Sequence, residues 1–431
     1  MSRSRSAMAG ALLMFLAAMP RPVLALDLAQ ALREVAAANP TLAARAAMVD
    51  AARRRVGPAG AWASPTVELG VVNVPTTGSF DTDPMTMKMV GVSQRLPVFG
   101  SNGLARRSAR AAVTGEAAAA EQTAWQLYGE AWRAYGDAFY AGQLEALADE
   151  HRAIAVRMVQ SARARYESGR GRLEDVLHSQ GEQAAIAVDL VAFRAEAEGA
   201  YARLDALRGR STGVADSLAP LPAASLSPTA APWLATVTSA HPRLRESEAR
   251  IERYRLAASA ARRSAWPDLE LRGSYGRRAA LMGVMPQDDM FSASVGFALP
   301  IFNGSRELSQ AGEMDALARA SEAERRGAEL DLRAEVTAAW VAALGAERRV
   351  ALLADTVLVI HRRAAEASTS AYAAGSGDLW RTFEATHALY AQEIATVRAR
   401  QELAAGEARL VALTGRTDLL GVPLPERRSE R

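Results

Sequence analysis

The sequence contains no cysteine, and this absence excludes several kinds of site at once. Without cysteine there are no disulfides, no thiolate metal ligands and no N-terminal lipid anchor on a cysteine. Histidine is also scarce and is not spaced as metal ligands are. The five histidines are His151, His178, His241, His361 and His387. We therefore expect no bound cofactor and no histidine-based metal site, and we expect His151 and His361 to decorate helix surfaces.

Long apolar runs are missing as well. After residue 25, no stretch reaches the roughly 18 uninterrupted apolar residues of a membrane helix. Residues 1–25 resemble a secretory signal peptide, because Arg3 and Arg5 precede the apolar run Met8–Met19 and small residues lie near Ala25. Its removal would lower the basic residues from 51 to 48, against 48 acidic ones. A neutral exported chain of this kind is periplasmic, secreted or an outer-membrane β protein.

Two functional classes find no support. Nucleic-acid binding needs a surface of one sign, and the mature chain is near neutral. Lys88 is the only lysine, so the cations are almost all arginine. The sequence also lacks a nucleophile motif, a phosphate-binding loop and a pair of catalytic acids, and we therefore expect no enzymatic activity.

The chain does contain a duplicated set of sequence landmarks. LPVFG at Leu96–Gly100 returns as LPIFNG at Leu299–Gly304. Other pairs lie 202 to 206 residues apart: Asn39-Pro40 with His241-Pro242, Pro65 with Pro267, Tyr166 with Tyr372, and Leu207-x-Gly209 with Leu413-x-Gly415. Such a pattern indicates one structural unit used twice. It predicts a first repeat at 26–209, a second at 233–415, a linker at 210–232 outside the core, and a C-terminal tail at 416–431.

Each repeat holds two segments of alternating hydrophobicity. In the second repeat Phe291, Ala293, Val295 and Phe297 alternate with small or polar residues. The pattern predicts strands at about 66–74 and 85–96 in the first repeat, and at about 268–277 and 290–299 in the second. Strands of about ten residues with one apolar face are typical of transmembrane β-strands.

Helices account for most of the remainder. An alanine-rich helix is expected from about Asp27 to Trp62, long helices at 101–167 and 305–374, and return helices at 173–207 and 379–413. At 1.5 Å per residue each long helix would extend on the order of 100 Å. The last return helix carries a seam spaced for coiled-coil packing. Its residues are Phe383, His387, Tyr390, Ile394 and Val397.

Four strands cannot close a barrel, and an open sheet edge is unstable in lipid. Several chains must therefore pool their strands. The helices lack a lipid-facing girdle, so we expect them to extend into the periplasm.

The order and duplication of these elements resemble the TolC family of outer-membrane efflux ducts over almost the whole mature chain. The resemblance rests on the strand-to-helix signals LPVFG and LPIFNG and on the motifs Tyr166-x-x-Gly169 and Tyr372-x-x-Gly375. It implies a mixed α and β membrane protein in the outer membrane of a Gram-negative cell. It further implies a homotrimer whose strands, four per chain, form a 12-stranded barrel continuous with a periplasmic α-helical coiled-coil tunnel.

The same resemblance implies partners and a function. It suggests the passive exit duct of a tripartite efflux system, docked to a periplasmic adaptor (membrane fusion protein) and an inner-membrane RND-type pump. Ser93-Gln94-x-Leu96-Pro97 before Phe99-Gly100 is most similar to the heavy-metal branch, called CzcC-like or CusC-like. Drug efflux and type I protein secretion stay open as alternatives. A soluble periplasmic coiled-coil adaptor or scaffold is another, although an adaptor would show one hairpin flanked by β-rich domains.

The family resemblance also implies a docking site at the two helical hairpin tips. The residues carried over are Tyr166, Gly169, Gly171, Leu173, Tyr372, Gly375, Gly377 and Leu379. Glycines at these positions also suit helix ends. A periplasmic gate would use Asp378, Tyr372 and Arg165. Threefold symmetry would gather Asp378 into a charged ring, although Gly-Asp-Leu is also an ordinary helix start.

Two methionines on the second strand are candidate ligands for a soft metal. Thioethers suit Cu(I) and Ag(I), but methionine is also a general filler of gaps. Aligning the two repeats at their strand-end prolines puts Met87 and Met89 on the face with Arg95, opposite the face of Val90 and Val92. On this alignment the methionines would face the lumen.

Overall fold

The computed structural model describes residues 25–211, 217–222, 226–282, 285–298 and 304–423. These residues divide into two compact units. Within the described residues, the helical unit draws on 25–40, 125–234 and 335–423, and the sheet unit on 41–124 and 235–334. The proposed signal peptide up to residue 24 and residues 299–303 of LPIFNG lie outside the described residues. Only the beginning of the predicted tail, through residue 423, lies within them.

The sheet unit contains four strands joined in sequence order. They are β1 (Thr66–Val72), β2 (Met87–Leu96), β3 (Asp268–Arg278) and β4 (Met290–Ala298). All three neighbouring pairs are antiparallel, in the order β1-β2-β3-β4. β1 ends before the predicted residue 74 because Asn73 has a left-handed φ of 54°. Its side chain donates to the Met85 carbonyl at 3.3 Å, which closes the turn into β2.

The strand register gives the sheet one apolar face and one polar face. Val90 lies opposite Leu69 and Tyr275, and Tyr275 lies opposite Phe291. Directly paired residues share a face, and side chains alternate along each strand. The apolar face therefore carries Val67, Leu69, Val71, Val90, Val92, Leu96, Leu269, Leu271, Tyr275, Phe291, Ala293, Val295 and Phe297, together with Gly273 and one polar residue, Gln94. This face is uncovered, since Leu69 is 77% exposed and Phe291 76%.

Nine α-helices are found within the described residues. They are α1 (Leu28–Ala38), α2 (Pro40–Ala59), α3 (Ser101–Glu167), α4 (Leu173–Leu207), α5 (Ala231–Leu234), α6 (Pro242–Ser264), α7 (Gly304–Leu352), α8 (Leu358–Ala373) and α9 (Leu379–Thr414). None of those described is both long and apolar enough to cross a membrane.

The single helix expected from Asp27 to Trp62 is wrong, because the chain forms two helices there. Asn39 is extended, with φ −68° and ψ 122°, and α2 begins at Pro40. The residue before a proline is disfavoured in the helical conformation, and proline is well suited to the first helical turn. His241 and Pro242 repeat the arrangement at the start of α6, where the His241 ring accepts from the Arg243 N–H at 3.2 Å.

The long helix expected at 305–374 forms over Gly304–Ala373, but it contains an irregularity that was not expected. A π-turn at Leu353–Val357 separates α7 from α8. Between Gly304 and Tyr372 the second repeat has two residues more than the first has between Gly100 and Tyr166. The i→i+5 hydrogen bonding of a π-turn accommodates one of these two additional residues without ending the helix.

The linker expected to lie outside the core is partly built into the helical unit. Leu226 is buried, and its N–H donates to Glu347 at 3.1 Å. The Trp340 indole donates to the Ser227 carbonyl at 3.0 Å. Leu218 forms a parallel bridge with Leu26. These backbone groups need partners away from water, which explains why this polar stretch is held in place.

His151 is buried rather than displayed on a helix surface, which corrects the expectation. It contacts Glu393 on α9 at 2.7 Å, and its ring lies 4.6 Å from that of Tyr390. Glu393 also accepts from Arg362 at 3.3 Å. Burial raises the pKa of Glu393, but the hydrogen bonds and charges of His151 and Arg362 outweigh burial, and its pKa lies below the usual value. A polar pair thus interrupts the apolar packing of α3 and α9.

Candidate functional site

The first hairpin tip, between α3 and α4, is a glycine turn closed by backbone hydrogen bonds. Gly169 has φ 72°, which favours glycine, and the Arg170 N–H donates to the Arg165 carbonyl at 2.8 Å. A Cβ on Gly171 would lie 3.0 Å from the Tyr166 nitrogen. Asp175 then accepts from the Arg172 N–H at 3.1 Å and caps α4.

The second tip, between α8 and α9, repeats this construction. Gly375 has φ 78°, and the Gly377 N–H donates to the Ala371 carbonyl at 2.9 Å. A Cβ on Gly377 would come within 2.5 Å of the Tyr372 nitrogen, so only glycine fits there. Capping alone explains Gly375, whereas Gly377 is also required by the close approach of the turn to α8.

The two tips meet through Arg165 and Tyr372. The Arg165 guanidinium lies 4.0 Å from the centre of the Tyr372 ring, and its Nη2 donates to the Tyr372 carbonyl at 3.3 Å. The Tyr372 hydroxyl lies 3.4 Å from Ser161 Oγ. Below this contact, Ala162, Val176, Leu379 and Phe383 form a small buried cluster, and Met158 and Tyr372 pack against it.

A cleft of about 360 Å³ lies between the tips, and it collects most of the residues that the family resemblance indicated. Of the site residues carried over, it is lined by Arg165, Gly169, Gly171, Tyr372, Gly377, Asp378 and Leu379. Tyr166, Leu173 and Gly375 do not line it. Tyr166 and Leu173 are instead exposed, at 46% and 52%. The two tyrosines at equivalent positions of the repeats are therefore not equivalent in structure.

Three features of the tips were not predicted from the sequence. Ser161 and Ala162 line or brace the cleft without any motif that would mark them. Asp175 could have been found, because an acid at the third helical position is a capping signal. His178 stacks on Trp380 with ring centres 4.5 Å apart, joining α4 to α9. A contact between residues so far apart in the chain has no local sequence signature.

Asp378 is exposed and caps α9. Its Oδ1 accepts from the Trp380 N–H at 3.4 Å, and the residue is extended at φ −92° and ψ 137°. This is the geometry of an N-cap. The position also lines the cleft between the tips, so a charge there would act on whatever enters that cleft.

On the sheet, the polar face carries both candidate methionines. Met87 and Met89 alternate with Lys88 and Val90 on β2, so they lie opposite the apolar face. A Cβ on Gly276 would come within 2.5 Å of the Met87 sulfur, so this side chain fills the space above the glycine. Among the described residues, no group of three or more histidine, aspartate or glutamate side chains is arranged to hold a metal ion.

Comparison with known proteins identifies the family. The sequence profile described as outer membrane efflux protein matches residues 31–210 and 233–416, one match for each repeat. The chain belongs to the outer membrane efflux protein family. This confirms the resemblance to the TolC family drawn from the sequence. No curated protein sequence matches this efflux-family chain.

Solved structures confirm the TolC-like fold of this family member. The outer-membrane channel OprN is 20% identical with a TM-score of 0.75, and the match covers 90% of each chain. CusC is 15% identical with a TM-score of 0.75 and 93% coverage of each chain. The open state of MtrE from Neisseria gonorrhoeae is 19% identical with a TM-score of 0.72, covering 90% of this chain and 88% of that one. At these identities the likeness concerns the fold, and the efflux family as a whole consists of channels rather than enzymes.

Proposed function

We propose that the protein is the outer-membrane duct of a tripartite efflux system. The observation that carries this proposal is the uncovered apolar face of a four-stranded sheet in a chain of the efflux family. Exposed apolar patches of this extent mark contact with lipid or with another protein. The face alternates with a polar one along every strand, as in barrels whose outer side contacts lipid and whose inner side contacts water.

A homotrimer completes the barrel. β1 and β4 each have one unpaired edge within the described sheet. Unpaired backbone groups are costly in hydrocarbon, and pairing β1 of one chain with β4 of the next removes both edges. Three chains would contribute twelve strands around one lumen, with the helices of the three chains forming a periplasmic tunnel. Arg272 bridges to Glu68 and Glu270 at 3.7 and 3.2 Å on the polar face, which suits a water-filled interior.

The hairpin tips are the proposed docking site for a periplasmic adaptor, which in turn would hold an inner-membrane RND-type pump. At Gly171 and Gly377 the turn packs closely against the backbone of the preceding helix, and no side chain projects from these two positions. The cleft between them is lined by small residues and by arginines, so it offers both shape and charge to a helical partner. Arg165, Tyr372 and Asp378 would form the gate at the same end.

Heavy-metal cations are the proposed cargo, on the strength of the Ser93-Gln94-x-Leu96-Pro97 motif. Charge on the polar face and at the tips does not itself select a substrate, because such a duct is passive and selectivity resides largely in the pump. Met87 packs over Gly276, so we do not assign it to metal binding. Drug or small-molecule export and protein secretion are the other possible uses of the same duct.

Deletion of the gene in its own host, together with cell fractionation, tests both the proposed metal cargo and the proposed role as an outer-membrane duct. The deletion strain is challenged with zinc, cobalt, cadmium, copper and silver salts, and in parallel with a detergent and drug panel. Sensitivity to one or more metals, restored by the wild-type gene, supports metal export. Sensitivity to detergents alone would reject it while leaving the duct in place. Recovery of the protein in the soluble periplasm, with no heat-modified migration on gels, would overturn the duct itself and favour an adaptor or scaffold.

A further inference from the structure

The apolar face of the sheet ends in a pair of cations at the strand ends farthest from α2 and α3. Lys88 on β2 lies directly opposite Arg277 on β3. Alternate residues share a face, so Lys88 lies on the side of Val90 and Arg277 on the side of Tyr275. The pair therefore continues the exposed apolar face rather than the polar one. Like charges placed directly across a strand pair destabilise a sheet, unless an anion compensates them.

Neither cation has an ion pair within 4.0 Å among the residues that the structure describes. Arg272 on the same strand as Arg277, in contrast, pairs with Glu68 and Glu270. Lys88 Nζ lies 5.5 Å from the centre of the Phe80 ring. Asp289 is near Arg277, but its Oδ1 accepts from the Arg278 N–H at 3.2 Å and its Oδ2 accepts from the Tyr275 hydroxyl. The carboxylate is held by two donors on β3, the Tyr275 hydroxyl and the Arg278 N–H, and it remains a single negative charge beside the two cations.

A cleft of about 440 Å³ opens beside the two cations. Its lining is Phe80, Thr86, Met87, Lys88, Arg277, Arg278, Ala279 and Ala280. Arg278 donates from Nε to the Asp288 carbonyl at 2.6 Å, which fixes the wall of the cleft. Lys88 and Arg277 are both exposed and are available to a ligand.

We propose that Lys88 and Arg277 bind the phosphate of a lipid headgroup whose acyl chains lie along the apolar face. This inference rests on the proposed function, because it requires the strands to lie in a membrane. The apolar face accounts for the acyl chains, and cations at its end account for an anionic headgroup, with basic residues near a membrane surface each favouring anionic lipid. The arginine fork binds phosphate oxygens in a bidentate manner, and the lysine adds a point charge. A phosphate between them also removes the repulsion of the pair.

Native mass spectrometry of the detergent-purified protein tests the proposal. The probes are phosphatidic acid and phosphatidylcholine with identical acyl chains, with inorganic phosphate as a competitor. The test variant is Lys88→Gln/Arg277→Gln. The matched control is Arg95→Gln, which removes a cation from the polar face at the other end of β2, where Arg95 lies opposite Glu270. A third variant, Lys88→Arg/Arg277→Lys, keeps the charge and checks that loss of binding is not loss of folding.

The wild type should retain phosphatidic acid in preference to phosphatidylcholine, and the double glutamine variant should bind phosphatidic acid about tenfold more weakly. The Arg95 control and the charge-preserving variant should bind as the wild type does. Equal retention of the two lipids, or undiminished binding by the double glutamine variant, would overturn the proposal. Displacement by millimolar inorganic phosphate would also overturn it, because the site would then be one for a free oxyanion.

Conductance across a planar bilayer separates this inference from the proposed function. Protein that inserts and conducts, but whose double variant binds phosphatidic acid normally, leaves the duct intact and removes only the lipid site. Protein that never inserts overturns the duct first. The double glutamine variant should conduct as the wild type does, since both residues lie on the face away from the lumen.

Discussion

The guanidinium of Arg165 lies over the ring of Tyr372, 4.0 Å from its centre, and joins two tips that are 207 positions apart in the chain. A cation–π contact of this kind contributes about 1 kcal/mol at a partly exposed site, or roughly a fivefold change in an open-to-closed ratio. We expect Tyr372→Leu and Arg165→Gln to raise the open probability of the duct in planar bilayers. Tyr166→Leu is the matched control, because Tyr166 occupies the equivalent position of the first repeat and is exposed. Equal open probability in all variants would show that the contact does not hold the duct closed.

Asp378 can be tested separately as a helix cap and as a charge. Asparagine caps a helix about as well as aspartate does, but it carries no charge. If Asp378 acts through its charge, Asp378→Asn should reduce the block of single channels by divalent cations while leaving thermal stability unchanged. If it acts only as the cap seen here, through the Trp380 N–H, Asp378→Asn should be silent. Asp378→Ala should then lower stability by about 1 kcal/mol without a specific change in block.

Glu393 should contribute stability at neutral pH and lose that contribution in acid. Its pKa is raised by burial but lowered further by His151 and Arg362, and it lies below the usual 4.5. A carboxyl with a depressed pKa in the folded state stabilises above its unfolded pKa and ceases to do so as the pH falls through the folded pKa. Glu393→Gln should therefore cost about 2 kcal/mol at pH 7, and the difference from the wild type should shrink below about pH 4.5.

Thermal unfolding followed by circular dichroism at pH 7 and pH 4 measures this difference. The control is Glu366→Gln, an exposed glutamate on α8. If the Glu393 variant is as stable as the wild type at pH 7, the cost of removing Glu393 and His151 from water cancels the attraction between them.

Glu407 should behave in the opposite sense. Burial raises its pKa to about 7, Trp132 lowers it in part, and the charge of Glu347 raises it further. Trp132 Nε1 has no hydrogen-bond partner of ordinary geometry among the described residues, so its contact with the carboxyl is weak. A raised carboxyl pKa means that the folded state holds the proton more tightly. Stability from this group is present below about pH 4.5 and is lost as the pH rises toward 7.

Glu407→Gln should therefore stabilise the protein at pH 8, by on the order of 3 kcal/mol at most, and change little at pH 4. The measurement is the pair of melting temperatures at the two pH values. Glu384→Gln, an exposed position on the same helix, should have no effect at either pH. A Glu407 variant that is less stable at pH 8 would show that the carboxylate has a compensating partner.

Much of the fold could be predicted because its signals are local. α3 contains no proline and ends in glycines, so its bounds follow from the sequence, and alternation in β4 gives the faces of the sheet. Asn39 was a missed signal, since its position before Pro40 disfavours the helix that was expected to run through it. The burial of His151 could not be predicted, because its partner Glu393 is 242 residues away. The contact between Arg165 and Tyr372 could not be predicted for the same reason, since these residues are 207 positions apart.

The π-turn at Leu353–Val357 makes the two repeats unlike each other in a way that their matching motifs conceal. A tandem chain built from two copies of the first repeat would have no such turn. Its second tip would carry Tyr166 at the position of Tyr372, and Tyr166 is exposed in this structure rather than packed under Arg165. The ancestral duplication therefore did not leave two interchangeable parts. An assembly of three such chains has true threefold symmetry only, with two distinct kinds of tip alternating around its end.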